Sequence, residues 1–140
     1  MVTYQFHARL ENLRNCIETV TLFAVSAGVA KDKTIRLELA LEEALVNIFK
    51  YAYPDAADGM VEITCDETGR DKIKIEIRDN GVPFNVLSHP EPDTSVPLLE
   101  RKIGGLGIFL IKKTIDEIYY RMEEGSNVLT FLITKKKIIC

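Results

Sequence analysis

Apolar and polar residues alternate in three parts of the chain, with the period of strands that bury one face and expose the other. We expect Glu67-Thr68-Gly69-Arg70 to form a hairpin turn between the second and third of these strands. Two more strands are expected near the C-terminus, one beginning at Ile118 and Tyr120 and one over residues 128–134, joined by a turn over residues 124–127. The alternating apolar residues are Val2, Tyr4 and Phe6, then Val61, Ile63 and Cys65, and then Ile73, Ile75 and Ile77.

Two segments have the period of amphipathic helices. In the first, apolar residues recur from Leu10 to Ala24, and Gly28 is the expected stop. The second begins at about Asp32, a good N-cap residue, and continues until Pro54 ends it. At ~1.5 Å per residue this helix is roughly 30 Å long, which is enough to cross one face of a small domain. Its apolar stripe consists of Leu37, Leu41, Ala44, Leu45, Ile48 and Ala52.

The regular pattern stops between Asp79 and Lys102, where prolines and Gly81 leave little scope for a helix or a strand. A loop of this length inside a compact domain is usually functional or disordered. We expect residues 88–102 to form a mobile lid. The loop leads to Gly104-Gly105-Leu106-Gly107 and then to a helical apolar run over residues 108–113.

The length of 140 residues, with 46% apolar and 28% charged residues, predicts one domain over residues 1–140 with a sizeable core. A net charge of −3 and the lack of a basic stripe argue against direct binding to nucleic acid. No signal peptide and no run of the ~20 apolar residues needed to span a membrane is recognisable. Cys16, Cys65 and Cys140 are far apart in the sequence, so we expect free thiols in a reducing cytoplasm and no metal site.

Two clusters of polar residues are candidates for chemistry. Glu43 and Asn47 lie four residues apart on one face of the long helix, and Lys50 follows one turn later. By itself such an arrangement is common on a solvated helix face. Asp79-Asn80-Gly81 follows a strand, and an ionised Asp only accepts hydrogen bonds, which suits an amino group such as that of adenine. Asp and Gly are, however, also ordinary turn residues.

A third candidate is the glycine cluster that opens the helix after residue 107. Glycines let backbone N–H groups approach a phosphate closely, and the helix N-terminus adds a positive partial charge. Taken alone, Gly104-Gly105-Leu106-Gly107 is equally consistent with a helix that follows a mobile loop. The P-loop and dinucleotide-binding patterns are absent from the sequence.

The three clusters in this order resemble the boxes of the GHKL ATPase superfamily. Glu43-Ala44-Leu45-Val46-Asn47, followed by Lys50, Ala52 and Tyr53, resembles the N box; the other two clusters resemble the first and second glycine boxes. Within the superfamily the chain is most similar to the anti-sigma serine kinases. It keeps their pattern E-A-x-x-N-x-x-K-x-A-Y and their D-x-G-x-P-F form of the first glycine box, and departs only at Tyr51, where a His is common.

The resemblance implies roles for individual residues. Asn47 would give its amide oxygen to Mg²⁺, which prefers oxygen ligands, and Glu43 would be the general base for the attacking hydroxyl. Asp79 would bind the amino group of adenine, and Gly81 would leave room for the base.

The resemblance also implies contacts to the phosphates of ATP, an arrangement in which positioning and charge neutralisation supply most of the catalysis. Lys50 and Arg101 are possible charge partners, and Thr130 would line the adenine pocket. The phosphate-binding backbone groups would come from Gly104, Gly105, Leu106 and Gly107.

The implied fold is an α/β (α+β) two-layer sandwich of the Bergerat type, with a mixed, mostly antiparallel sheet and helices on one face. The implied function is that of an ATP- and Mg²⁺-dependent serine/threonine protein kinase and anti-sigma regulatory factor. Its partners would be an anti-anti-sigma protein of the STAS type, which it phosphorylates, and a sigma factor, which it sequesters; a homodimer is one option.

Two alternative functions remain open on the sequence. The chain could be the ATPase module of a sensor histidine kinase, although neither of its two His residues lies in a predicted helix pair suited to dimerisation. It could also be a non-catalytic module whose bound nucleotide only sets the shape of its lid. Transfer of phosphate to Ser or Thr, transfer to His, or binding without transfer would separate the three hypotheses.

Overall fold

The computed structural model describes residues 1–53, 59–83 and 115–136 of the chain. The helices in these ranges are α1 (Leu13–Ser26) and α2 (Lys31–Tyr51), and a 3-10 turn over Leu10–Asn12 precedes α1. The strands are β1 (Val2–His7), β2 (Met60–Thr68), β3 (Lys72–Asp79), β4 (Glu117–Glu123) and β5 (Ser126–Thr134). Every helix and strand predicted within the described ranges is therefore present.

The five strands form one sheet in the order β1-β2-β3-β5-β4. All four pairings between neighbouring strands are antiparallel. The prediction of a predominantly antiparallel sheet is confirmed, and the parallel pairing that a mixed sheet would include does not occur among the described residues.

One face of the sheet packs on the helices, as the alternating pattern predicts. The apolar side chains of β2, β3 and β5 that face the helices are almost completely buried and join the helical side chains in a single core cluster. The opposite face carries charged and hydroxyl side chains, as expected for an antiparallel sheet with one solvated side. The architecture is the predicted two-layer sandwich. The core-facing strand residues are Val61, Ile63, Cys65, Ile73, Ile75, Ile77, Leu129, Phe131 and Ile133.

Helix α1 ends at the predicted glycine. Gly28 has a φ of +93°, in the left-handed region that favours glycine. The N–H of Gly28 donates to the carbonyl of Val25 at 3.0 Å, and that of Val29 donates to Ala24 at 3.0 Å. This pair of bonds is the Schellman motif, which satisfies carbonyl groups at the end of a helix.

Helix α2 begins earlier than predicted, and Asp32 is not its N-cap. The N-cap is Ala30, whose extended backbone has a ψ of 149° and whose side chain makes no capping bond. The N–H of Ala30 donates to the carbonyl of Lys135 at 2.8 Å, so a contact with the end of β5 sets where the helix starts. Asp32 lies instead in the first turn, where an acidic residue favours the helix dipole.

Both predicted hairpin turns are shorter than expected. Strand β2 continues through Thr68, and β3 starts at Lys72, so the turn covers residues 69–71. The turn between β4 and β5 contains only Glu124 and Gly125, with φ values of 50° and 81°. Positive φ at both positions is the geometry of a two-residue type I′ turn. The predicted turn residues Ser126 and Asn127 are consequently part of β5.

Cys16 and Cys65 are free, as predicted, and the structure places both in the core. Burial raises the pKa of each thiol to about 12, so the thiols are protonated and unreactive at neutral pH and serve only to pack the core. Cys140 lies outside the described residues. Within the described ranges, no helix combines the length and the apolar composition needed to cross a bilayer.

A buried ion pair joins the start of α2 to the chain before β4. The Lys33 ammonium is 5% exposed, and it donates to both oxygens of Asp116, at 2.7 and 2.6 Å. Asp116 also accepts from the backbone N–H of Thr134 at 2.8 Å. Burial alone would raise the pKa of Asp116, but the bonds from Lys33 and Thr134 outweigh it and lower the pKa. The pair therefore holds α2, β4 and β5 together.

The two partners of this pair should respond differently to substitution. Asp116→Asn leaves a buried ammonium without its counter-charge and should destabilise the fold by about 3 kcal/mol. Lys33→Met should cost only about 1 kcal/mol, because the Asp116 carboxylate is one-third exposed and keeps its bonds to Thr134. Urea unfolding of both variants measures the difference, and equal losses would contradict this account of the pair.

Candidate active site

Glu43 and Asn47 are in direct contact on α2. The Asn47 side-chain Nδ2 donates to the backbone carbonyl of Glu43 at 2.9 Å and to its carboxylate Oε1 at 3.1 Å. Asn47 is 5% exposed, which is unusual for an amide on a helix surface. The predicted proximity of the two side chains is confirmed. The two bonds from Nδ2 also orient the amide. Its Oδ1 makes no hydrogen bond within the described residues.

The residues that flank this pair differ from it in exposure. Glu43 is half-buried, whereas its neighbour Glu42 is exposed and lines a shallow groove against Leu10 and Leu13 on the other side of the helix. Lys50 is exposed one turn after Asn47. The acid that faces Asn47 is thus Glu43 and not Glu42.

The C-terminal end of α2 packs against the segment that follows β3. The N–H of Val82 donates to the carbonyl of Ala52 at 2.8 Å. A Cβ atom on Gly81 would lie 2.2 Å from the Ala52 carbonyl oxygen, well inside van der Waals contact. Only glycine fits at this position, so Gly81 has a packing role in addition to the one implied by resemblance.

Tyr53 makes a second connection between the same two segments. Its hydroxyl donates to the carbonyl of Met60 at 2.6 Å and accepts from the N–H of Asn80 at 2.9 Å. Burial is the main cause that raises the pKa of Tyr53, so the hydroxyl stays protonated and available as a donor. Tyr53 thereby fixes the residue that comes directly after Asp79.

Asp79 lies at the end of β3 and is only 4% exposed. Its Oδ1 accepts from the N–H of Gly81 and from Nδ2 of Asn127, each at 2.9 Å. Burial raises the pKa of the carboxyl, and these two hydrogen bonds offset only part of that effect. Among the described residues no cationic side chain pairs with Asp79, and Oδ2 receives no donor. A buried carboxylate with a free acceptor oxygen fits a ligand that presents an amino group.

Asn127 is a site residue that the sequence reading missed. Asn127 lies directly opposite Asp79 in the pairing of β3 with β5, and its Nδ2 also donates to the carbonyl of Val82 at 2.9 Å. The hydroxyl of Tyr120 donates to its Oδ1. The signal in the sequence is the two-residue period of β5. Phe131 and Leu129 face the core, so Asn127, two residues earlier, must face the core as well.

The structure does not bring Thr130 to this site. Thr130 pairs with Glu76 and Tyr119, and its hydroxyl accepts from Arg121 at 3.4 Å. These residues belong to the sheet face opposite the helices, whereas Asp79 and Asn127 face the helices. The structure therefore argues against the predicted place of Thr130 in the adenine pocket, because Thr130 lies on the sheet face away from Asp79.

The remaining predicted site residues, Arg101 and Gly104-Gly105-Leu106-Gly107, lie outside the described residues, as does the predicted lid over residues 88–102. Within the described ranges no group of three or more His, Cys, Asp or Glu side chains could hold a metal ion. The resemblance predicts Oδ1 of Asn47 as a ligand of Mg²⁺, an ion that commonly keeps several waters and binds phosphates.

Comparisons with known proteins identify a family and related sequences. The model of the family described as "Histidine kinase-like ATPase domain" matches residues 6–133. The serine-protein kinase RsbW of Listeria monocytogenes is 29% identical over 143 aligned positions, which cover 98% of this chain and 90% of the relative. RsbW of Staphylococcus epidermidis is 33% identical over 118 positions, covering 79% of this chain and 72% of the relative.

Two solved structures share the fold. The structure of the RsbU and RsbW domains of a Mycobacterium tuberculosis protein has a TM-score of 0.66 at 11% identity, covering 98% of this chain and 34% of that one. The catalytic domain of the histidine kinase ThkA has a TM-score of 0.54 at 17% identity, covering 96% of this chain and 98% of that one.

The buried carboxylate of Asp79 should cost stability at neutral pH. Its pKa is raised in the folded protein, so the folded state binds the proton more tightly and stability falls as the pH rises above the ordinary value of 3.8. Asp79→Asn keeps an oxygen for Gly81 and Asn127, and it should be more stable than wild type by on the order of 1 kcal/mol at pH 7. The difference should close near pH 4.

Urea unfolding at both pH values tests this expectation. Asp71→Asn, at an exposed position in the turn between β2 and β3, is the matched control and should change stability little at either pH. A less stable Asp79→Asn at pH 7 would show that the carboxylate serves the fold.

Proposed function

We propose that this chain, which belongs to the family of histidine kinase-like ATPase domains, is an ATP-dependent serine/threonine protein kinase of the anti-sigma type. The observation that carries the proposal is the hydrogen-bonded pair of the half-buried Glu43 and the buried Asn47 on α2. It lies on the helix whose C-terminal end packs against the segment after Asp79. The RsbW relatives, named as serine-protein kinases, support the choice of serine or threonine as the acceptor.

The adenine end of the site would be Asp79. Its Oδ2 is the acceptor for an exocyclic amino group, while Gly81 and Asn127 hold Oδ1. Gly81 keeps the segment close to α2, where a side chain would block the packing. Asn47 lies ~7.5 Å before Ala52 along the helix axis, so the predicted metal ligand is displaced from the adenine end toward where phosphates would lie.

The phosphate end would be formed by Asn47 and the predicted charge partners. ATP supplies the transferable phosphoryl group, and Mg²⁺ neutralises charge on its phosphates. The fixed amide of Asn47 offers Oδ1 to the metal, and Lys50 is an exposed cation on the same flank of α2. Arg101 and Gly104-Gly105-Leu106-Gly107 remain predicted phosphate contacts.

Glu43 would act as the general base. Its carboxylate would accept the proton of a serine or threonine hydroxyl as that oxygen attacks phosphorus. The hydrogen bond from Asn47 holds one carboxylate oxygen in place, so the base and the metal ligand have a fixed relative position. General-base catalysis of this kind typically contributes ~10²–10⁴ in rate.

The proposed partners are a STAS-type anti-anti-sigma protein, as the phosphorylated substrate, and a sigma factor, which the chain sequesters. We place the protein in the cytoplasm, in keeping with the buried free thiols Cys16 and Cys65. A homodimer is the proposed assembly. The genes that neighbour its own would identify candidate partners.

Incubation with labelled ATP and candidate partners tests the function directly. Acid-stable label on a partner serine or threonine is the expected result. Label on a histidine would indicate a histidine kinase system instead, and nucleotide binding without transfer would indicate a non-catalytic module.

Asn47→Ala should abolish Mg²⁺-dependent binding of ADP, because it removes the protein oxygen proposed for the metal. Isothermal titration with and without Mg²⁺ measures this, and thermal unfolding shows whether the variant is folded. Asn15→Ala on α1, far along the chain from these residues, is a matched control and should bind ADP normally. Wild-type affinity in Asn47→Ala would contradict the metal role.

Glu43→Ala should leave ATP binding largely intact while it lowers phosphorylation of a partner by at least the ~10²-fold expected for a lost base. Glu43→Gln should be about as slow, since an amide cannot accept the proton. Single-turnover transfer from labelled ATP measures both. The control is Glu42→Ala, because Glu42 is exposed and points about 100° away around the helix. A dead Glu42→Ala with an active Glu43→Ala would refute the assignment.

A further inference from the structure

Tyr120 of β4 and Asn127 of β5 form a chain of hydrogen bonds that ends at Asp79. The Tyr120 hydroxyl donates to Oδ1 of Asn127, and Nδ2 of Asn127 donates to Oδ1 of Asp79 at 2.9 Å. All three side chains are on the sheet face that packs against the helices, since Asn127 pairs with Asp79 and Tyr120 pairs with Leu129.

The surroundings of Asn127 allow only one orientation of its amide. Nδ2 faces two acceptors, the Asp79 carboxylate and the Val82 carbonyl, each at 2.9 Å. Oδ1 faces the Tyr120 hydroxyl, which donates to it. Rotating the amide by 180° would place its oxygen against two other acceptors, the Asp79 carboxylate and the Val82 carbonyl. Val82 therefore keeps the donating side of Asn127 toward Asp79, while the Tyr120 hydroxyl, which also lies 3.0 Å from Sδ of Met122, bonds the Asn127 Oδ1.

This orientation makes the two oxygens of Asp79 unequal. Oδ1 is occupied by two donors, the Gly81 N–H and Asn127 Nδ2. Oδ2 has no donor within the described residues and is the acceptor left for a ligand. A 180° rotation of the carboxyl group exchanges two equivalent oxygens and restores the same arrangement, whereas any intermediate angle would break both bonds, so the carboxyl plane is fixed with one oxygen held and the other presented.

We propose that Tyr120 and Asn127 are positioning residues that select Oδ2 of Asp79 as the oxygen that binds the amino group of adenine. They would thereby set the preference for adenine over a base that carries an oxygen at the same position. The inference rests on the proposed function, because it takes Asp79 as the adenine acceptor. It adds two residues, on β4 and β5, that act through Asp79 without touching the base.

A structural role alone predicts a different outcome. Asn127 also anchors the Val82 carbonyl, so its loss could loosen the segment after β3 and weaken all nucleotides alike. Selection of an acceptor oxygen affects only a base with an amino group. The ratio of affinities for ADP and for inosine diphosphate, which has an oxygen in place of that amino group, separates the two roles.

The experiment is isothermal titration of the full chain with ADP and with inosine diphosphate. The proteins are wild type, Tyr120→Phe, Asn127→Leu and the double variant. We expect Asn127→Leu to weaken ADP by about tenfold and Tyr120→Phe by about threefold, the size of one lost hydrogen bond to a charged or polar group. Inosine diphosphate should be nearly unaffected, so the preference for ADP falls in both variants.

The double variant should bind ADP no more weakly than Asn127→Leu, because Tyr120 acts only through Asn127. Tyr119→Phe is the matched control: Tyr119 is the neighbouring tyrosine of β4, it is 52% exposed, and its hydroxyl donates to Glu117 at 2.9 Å on the other sheet face. It should retain the wild-type preference. Tyr120→Phe keeps the ring in the core and serves as the test if Asn127→Leu does not fold.

Two results would overturn the inference. If both variants keep the wild-type preference for ADP, including the case in which both nucleotides bind equally more weakly, the positioning role is overturned while Asp79 remains the adenine acceptor. A wild-type protein that binds ADP no more tightly than inosine diphosphate would overturn the adenine role of Asp79 itself.

Discussion

The contact between Ala52 and Gly81 is the constraint on which the site depends. A single added methyl group at Gly81 would lie 2.2 Å from the carbonyl oxygen of Ala52, so helix and loop can meet only because that side chain is missing. The contact brings the end of a strand, with its buried carboxylate, against the end of α2. The bond from Val82 to Ala52 and the bridge through Tyr53 then hold the two segments in register.

Asp116 and Asp79 are carboxylates in opposite environments. Asp116 has an ammonium partner and two donors from Thr134, and its pKa is lowered. Asp79 is more deeply buried, has no cation among the described residues, and its pKa is raised. A group that a fold stabilises so poorly is the kind that a functional site retains. This difference in environment supports the proposed ligand-binding role of Asp79 without appeal to any resemblance, whereas Asp116 has the contacts of a structural acid.

Local geometry was predictable from the sequence, and register was not. Glu43 and Asn47 had to be neighbours as soon as the helix was recognised, because four residues make about one turn. The end of β3 at Asp79 also followed from the alternation of Ile73, Ile75 and Ile77. The position of Asn127 depends instead on whether the turn after β4 has two residues or four. A shift of one residue in a strand moves every side chain to the other face, so the face on which Thr130 lies follows only from the pairing of β3 with β5. The hydrogen bond at the start of α2 is donated by the Ala30 N–H to the carbonyl of Lys135, which is more than a hundred residues away. No local sequence pattern reveals such a contact.

The hydrogen bonds of Asn47 have a consequence for the entropy of binding. An asparagine on a helix surface normally samples several rotamers, and a ligand that needs one of them must remove that freedom when it binds. Here two bonds to Glu43 restrict the side chain before any ligand arrives. The loss of rotamer freedom has already occurred during folding, so less of the interaction energy with a bound group is used to order the protein. The amide oxygen proposed to bind the metal is thus preorganised by the fold, and ordering this side chain would cost a bound ligand little affinity.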